Sequence, residues 1–232
     1  MDDFAGFDEF QTAVDRDGAL AETKAKAEAT LSRRGLFGIT LAGAGAVVLG
    51  RASVAGAAGL SATDVGILNY ALVLEYLQAA FYTEAERSGA LTGNTARAAA
   101  IVGATERAHV KAFGELLKSK AVKRATFDFQ GTTEQQQAFL KTAVALEDLA
   151  VAAYKGQAPK LRSNAVLAAA VGIHSVEARH AAWMRELFGI TPAVHAFDQP
   201  ASRAQVTRLV ASTKFIASQP RVQGRGNPNF TG

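Results

Sequence analysis

Two nine-residue phrases decide the reading of this chain: LEYLQAAFY, Leu74 to Tyr82, and LEDLAVAAY, Leu146 to Tyr154. They agree at Leu, Glu, Leu, Ala and Tyr and stand 72 positions apart. A second pair keeps nearly the same offset: Glu106-x-x-His109 and Glu177-x-x-His180, 71 positions apart. The core is therefore two copies of one helix pair, each carrying a lone glutamate and then a Glu-x-x-His. On a helix, residues i and i+3 lie on nearly one face, so each Glu-x-x-His aims a carboxylate and an imidazole at one point. Glu75 and Glu147 stand inside otherwise apolar phrases, where an unpaired buried carboxylate is expensive. With 12 glutamates and four histidines in 232 residues, chance produces about 0.2 such spacings. Two in register with a repeated glutamate phrase are a much stronger signal; the competing reading is two solvent-exposed i,i+3 pairs on separate helices with two coincidental glutamates.

Outward from these phrases, four long segments carry helical periodicity. The first runs from about Thr63 to Ser88, capped by Ser61 or Thr63 and stopped by Gly89. The second runs from about Asn94 to Lys120, with Lys118 and Lys120 in its last turn, favourable against the helix dipole. The third spans about Thr132 to Gly156, with a capping box expected at Thr132-Thr133-Glu134-Gln135. The fourth spans about Lys160 to Phe188, ending at Gly189 and Pro192. Four such helices joined by short connections predict an all-α antiparallel four-helix bundle over residues 58–190. Residues 191–232 form a C-terminal extension, with one short helix expected around Ser202 to Ser212 and a loose end from Gln219.

Composition agrees and narrows the chemistry. Alanine, the best helix former, supplies 49 residues, and all five prolines lie at or beyond position 159. The absence of cysteine excludes disulfides, zinc ribbons, iron–sulfur clusters and thiol catalysis. Any metal must be held by oxygen and imidazole. Glu75, Glu106, His109, Glu147, Glu177 and His180 make up the constellation that dimetal carboxylate bundles place between their helices. Four carboxylates balance two divalent ions in charge; without them, like charges this close would force some carboxylates to protonate. Such donors suit iron or manganese by hardness, although affinity order favours copper or zinc where these are freely available.

The phrases LNYALVLEYLQAAFY, ATERAHV, LEDLAVAAY and VEARHAAWMRELFG resemble the ferritin-like domains of exported bacterial proteins related to plant desiccation-related proteins. The resemblance covers about Thr63 to Gly189. It implies a ferritin-like bundle with two iron or manganese ions, and it carries the ligand role over to the same six residues, none of which is missing. That superfamily includes ferroxidases, oxygen-activating oxidases, peroxide-reducing proteins and manganese catalases.

Around the six, Tyr82 and Tyr154 each follow a ligand glutamate by seven residues, two turns along the same face. They are read as hydrogen-bond donors to ligand carboxylates or as redox-active phenols, with satisfied core tyrosines as the competing reading. Asp148 is a candidate to orient a ligand histidine, with surface solvation as the alternative. His174, three residues before Glu177, is a candidate supplementary ligand or proton relay, or else a satisfied core histidine.

Residues 1–57 read as a leader. A polar, acidic stretch precedes Ser32-Arg33-Arg34-Gly35-Leu36-Phe37-Gly38, the apolar run Ile39 to Gly50, and the small residues Ala55-Gly56-Ala57. This is the three-part layout of an export signal, and the paired arginines resemble the twin-arginine motif, whose translocation machinery would be a partner. Leu36, Phe37 and Gly38 match that motif's usual Phe-Leu-Lys only loosely. A buried helix with a basic flank and an uncleaved membrane anchor are the alternatives. Cleavage near Ala57 would leave 19 basic and 13 acidic residues, a net charge of +6. Such a surface favours anionic partners such as phospholipid or cell-wall polymers in the periplasm or beyond. The densest basic patch, Lys118, Lys120, Lys123 and Arg124, lacks interleaved aromatics, so no nucleic-acid partner is expected. The sequence specifies no oligomer. It predicts an exported dimetal protein acting on oxygen or hydrogen peroxide, against the alternatives of a protective structural protein or a metal buffer.

Overall fold

The computed structural model describes residues 59–193 and 195–218. The leader read into residues 1–57 and the loose end beyond residue 218 lie outside the described residues. Among those residues no helix is long and apolar enough to cross a membrane.

Four long helices make the bundle: α1 Ala62–Ser88, α2 Gly93–Leu117, α3 Gln136–Gln157 and α4 Asn164–Phe188. A short helix α5, Arg203–Thr213, follows, and two short strands, β1 Thr126–Phe127 and β2 Ile216–Ser218, pair antiparallel. The ends of α1 are those the sequence announces. Ser61 accepts from the Asp64 backbone N–H at 3.0 Å, and Gly89 takes the left-handed conformation that a side chain would resist. Gly189 closes α4 in the same way, its N–H reaching Arg185 and Glu186 carbonyls.

Other ends differ from the expectation. Helix α2 stops at Leu117, because Lys118 turns to φ 52 and Lys118–Lys120 winds as a 3₁₀ turn. The capping box expected at residues 132–135 does not form, and α3 begins at Gln136 with no side-chain cap. Tertiary bonds take its residues instead: Thr133 Oγ1 donates to Glu84 at 2.8 Å, and Ser88 Oγ donates to the Thr133 carbonyl at 3.0 Å. Helix α4 starts at Asn164, capped by Ser163, because Pro159 sits in a 3₁₀ turn over Ala158–Lys160 and Leu161 is extended. Among the described residues a capping box lies on α5, where Ser202 and Gln205 satisfy each other's backbone N–H groups.

The connections are not all short. Asn69, near the start of α1, binds the Lys120 carbonyl at 2.9 Å and the Val122 N–H at 2.7 Å, so α2 ends beside the start of α1. Thr92 N–H binds the Gln136 side chain at 3.0 Å, so α3 begins beside the start of α2. Residues 118–135 therefore run the length of the bundle, and α2 and α3 point the same way. Each helix packs on antiparallel neighbours: α1 on α2 and α3, α4 on α2 and α3. One long crossover of this kind distinguishes ferritin-like bundles from up-down-up-down ones.

Two apolar clusters fill the bundle. One gathers Phe81, Phe129 and Phe139 with Val206, Val210 and Phe215 of the extension. The other gathers Leu68, Leu72, Phe113, Leu117, Val166 and Ile173. The described part of the extension, through Ala201, Val206, Val210, Phe215 and Ile216, thus belongs to the core. Its Ala201 N–H donates to the Ala152 carbonyl at 2.9 Å, and a Cβ on Gly156 would stand 1.9 Å from the Ala201 carbonyl oxygen. Gly156→Ala gains about 1 kcal/mol of helix propensity. It loses more to the overlap, since overpacking costs about 1–3 kcal/mol and a hydrogen-bonded backbone segment cannot move aside freely. The expected result is a lower melting temperature together with faster proteolysis at residues 190–200.

Candidate metal centre

The four long helices bring the six expected residues into two overlapping clusters at mid-bundle. Glu75, Glu106, His109 and Glu177 form one; Glu106, Glu147, Glu177 and His180 form the other, each with its donor atoms within 4.8 Å of one another. All six side chains are buried. The internal repeat becomes a two-fold relation in space. Each histidine meets the lone glutamate of its own helix pair and the Glu-x-x-His glutamate of the other. His109 Nδ1 lies 3.2 Å from Glu75 and 3.1 Å from Glu177; His180 Nδ1 lies 3.7 Å from Glu147 and 2.9 Å from Glu106. The imidazole centroids are 6.5 Å apart.

His109 Nδ1 and Glu75 Oε2 are hydrogen-bonded; the other spacings suit a shared cation better than direct pairing. Donors about 2.1 Å from one ion stand about 3.0 Å apart at adjacent octahedral corners and about 4.2 Å apart at opposite ones. Although His180 Nδ1 is 2.9 Å from Glu106, it is out of line for a hydrogen bond and has no hydrogen-bond partner. Both oxygens of Glu106, both of Glu177 and Oε2 of Glu147 are likewise buried without one. A buried carboxylate left so costs several kcal/mol unless a cation or proton satisfies it. The donor set fits metal ions.

The electrostatics carry the same mark. Burial pushes the Glu106 carboxyl up to about 7 against the pull of His109 and His180, and pushes Glu177 well above the carboxylate range. Burial would lower both histidines, but the surrounding carboxylates outweigh it, raising His109 strongly and His180 to about 10. Protons and cations compete for these atoms.

Tyr82 and Tyr154 reach across the bundle. Tyr82 donates to Glu147 Oε1 at 2.5 Å, and Tyr154 donates to Glu75 Oε1. Each phenol therefore holds the lone glutamate of the opposite pair rather than the one seven residues before it. Burial, then the glutamate charge, lifts both phenols well above their ordinary value, so they stay protonated donors. Each of these glutamates keeps its Oε2 for the cluster.

The remaining two expected residues stand away from it. Asp148 accepts from Arg185 at 2.5 Å instead of a histidine, because one step past Glu147 turns the side chain about 100° round the helix toward α4. His174 faces the extension, 3.7 Å from Asp198, and belongs to neither cluster. Two residues that the spacing of acids and histidines could not reveal hold α2 against α1 beside the clusters. A Cβ on Gly103 would come within 2.2 Å of Glu86 Oε1 and 2.8 Å of Tyr82 Cβ, so glycine lets α2 close on α1 beside the tyrosine. Arg107, next to Glu106, fixes the same face through a 2.8 Å pair with Glu86.

No curated protein matches the chain. The family model of the ferritin-like domain matches residues 63–189, more than half its length. With the crossover bundle and the buried glutamate–histidine clusters, the match places the chain in the ferritin-like domain family.

Proposed function

We propose that the protein binds two divalent metal ions, iron or manganese, between its helices and serves redox chemistry with oxygen or hydrogen peroxide. One observation carries this reading. The two glutamates common to both clusters, Glu106 and Glu177, are the two with both carboxylate oxygens free of hydrogen bonds. A carboxylate shared by two cations offers one oxygen to each. Glu75 and His109 would complete one position, and Glu147 and His180 the other. When bound, the pair supplies one-electron oxidation and reduction close to oxygen or peroxide. The chain's own part is to fix the donors, exclude water with an apolar cluster at either end, and hold Glu75 and Glu147 by the Tyr154 and Tyr82 hydroxyls. Tyr82 and Tyr154 act first as positioning residues.

The leader of residues 1–57 supports an exported, periplasmic or otherwise extracytoplasmic protein carried by the twin-arginine route. That route moves folded proteins, so the ions would be chosen before transport. A basic mature surface favours an anionic envelope surface as neighbour.

The test is to load the protein with iron(II) without oxygen, then add oxygen or hydrogen peroxide and follow iron oxidation by absorbance. Oxidation well above that of the Glu106→Ala, Glu177→Ala double variant is expected. Iron bound but oxidised no faster than in the double variant would leave a metal buffer or a protective structural protein instead.

A further inference from the structure

The two-fold relation that builds the metal centre is broken beside it. Next to Tyr82, Phe81 stacks on Phe139 with centroids 5.1 Å apart, and Trp183 packs against the same cluster. The repeat partners of these three rings, counted 72 or 71 positions along the chain, are Ala153, Ile67 and Ala112. All three line a cavity of about 50 Å³ that also touches Tyr154. Where the filled half has Thr142 and Ala85, the hollow half has Tyr70 and Gln157. The Tyr70 hydroxyl and the Gln157 amide nitrogen are buried there without hydrogen-bond partners. One half of the bundle is packed with aromatic rings; its repeat twin is hollow.

We infer that this cavity is a binding site for a small apolar molecule of the size of dioxygen, leading through Tyr154 to the Glu75 side of the metal centre. The inference rests on the redox reading above and names its oxidant. Size argues first. A water needs about 10–15 Å³ of such volume and benzene occupies a cavity of about 150 Å³, so this one admits a molecule of two or three heavy atoms. Lining argues second. Apart from Tyr70, Gln157 and the Tyr154 hydroxyl already given to Glu75, every lining side chain is apolar. Hydrogen peroxide would exchange its hydrogen bonds in water for two groups at most, whereas dioxygen has almost none to lose. Tyr154 joins the cavity to the site, since it lines the one and its hydroxyl holds Glu75 in the other. The two ends of the dimetal site are then inequivalent: the oxidant arrives beside Glu75 and His109, not beside Glu147 and His180.

Xenon is the probe, in pressurised crystals of the full chain or by its nuclear resonance in solution. It should occupy this cavity with or without metal and leave the Tyr82 side empty. Ala153→Phe, which copies Phe81 into the hollow half, should lower xenon binding at least about tenfold. Should that variant fold poorly, Ala112→Leu fills the opposite wall with less bulk. In both, metal content should hold while the oxygen concentration for half-maximal iron(II) oxidation rises. No xenon in the cavity, or ordered water bonded to Tyr70 and Gln157 in its place, overturns the site. Xenon binding unchanged by both variants does the same. Xenon lost on filling, with the oxygen dependence unmoved, overturns the assignment of the oxidant. Because xenon needs no metal, a failure of metal binding is read separately from a failure of this cavity.

Discussion

Glu177→Gln is expected to remove both metal ions at once, whereas Glu75→Gln should remove or loosen only one. Glu177 belongs to both clusters and has no hydrogen bond on either oxygen, while Glu75 belongs to one and already gives an oxygen to Tyr154. Losing an outer hydrogen bond to a ligand typically weakens metal binding about 10- to 100-fold, and losing a carboxylate that serves two ions should cost more. Metal analysis of the two variants after identical loading and washing reads the difference directly. Glu177→Gln should fall from about two ions per chain to near none, and Glu75→Gln to about one. Equal losses in both variants would count against a shared carboxylate. Tyr154→Phe should fall between wild type and Glu75→Gln, because it frees the glutamate without removing its charge.

The second large effect is a reversal of sign in stability. Ions bound only by the folded chain stabilise it by about 2.7 kcal/mol at a hundred times the dissociation constant. In a domain of this size that shift is worth about 5–11 °C in melting temperature. The metal-free cluster works the other way, since burial already drives the Glu106 and Glu177 carboxyls toward protonation. Glu177→Gln removes one of four crowded carboxylates while keeping the shape of the side chain. Replacing buried charges is often neutral or stabilising, by about 1–4 kcal/mol in favourable cases. The metal-free variant should therefore melt at or above the metal-free wild type, and added metal should raise the wild type alone. A purely structural Glu177 would behave differently: the variant would be weaker with and without metal, by about 1–3 kcal/mol for the lost interactions. Calorimetry on both proteins in both states distinguishes the two.

What was legible in the sequence was whatever a helix repeats. The lone glutamates and the Glu-x-x-His pairs needed only the 3.6-residue period, and all six came together where expected. Ser61, Gly89 and Gly189 marked their helix ends because capping is local chemistry. The direction of α3 was not local. It depends on Asn69 holding residues 120 and 122 and on Thr133 reaching Glu84, contacts between residues about 50 apart. The same contacts consumed the residues that looked like a capping box. Asp148 and His174 lie outside the clusters for another reason: neighbourhood along a helix fixes a direction, but the partner in that direction belongs to another element, Arg185 in one case and Asp198 in the other. The hollow half of the bundle was present in the repeat itself. Phe81 against Ala153 is a difference inside the very phrases that matched, and it takes meaning only once both faces are seen beside the same tyrosines.

In the proposed function, Glu106 and Glu177 are shared by two ions held between the four helices. Anomalous diffraction from a crystal loaded with iron or manganese, collected on either side of the metal's absorption edge, tests it most directly. Two peaks are expected inside the bundle, one against Glu75 and His109 and the other against Glu147 and His180, both touching Glu106 and Glu177. No peak between the helices, or a single peak bound by one cluster alone, would contradict it.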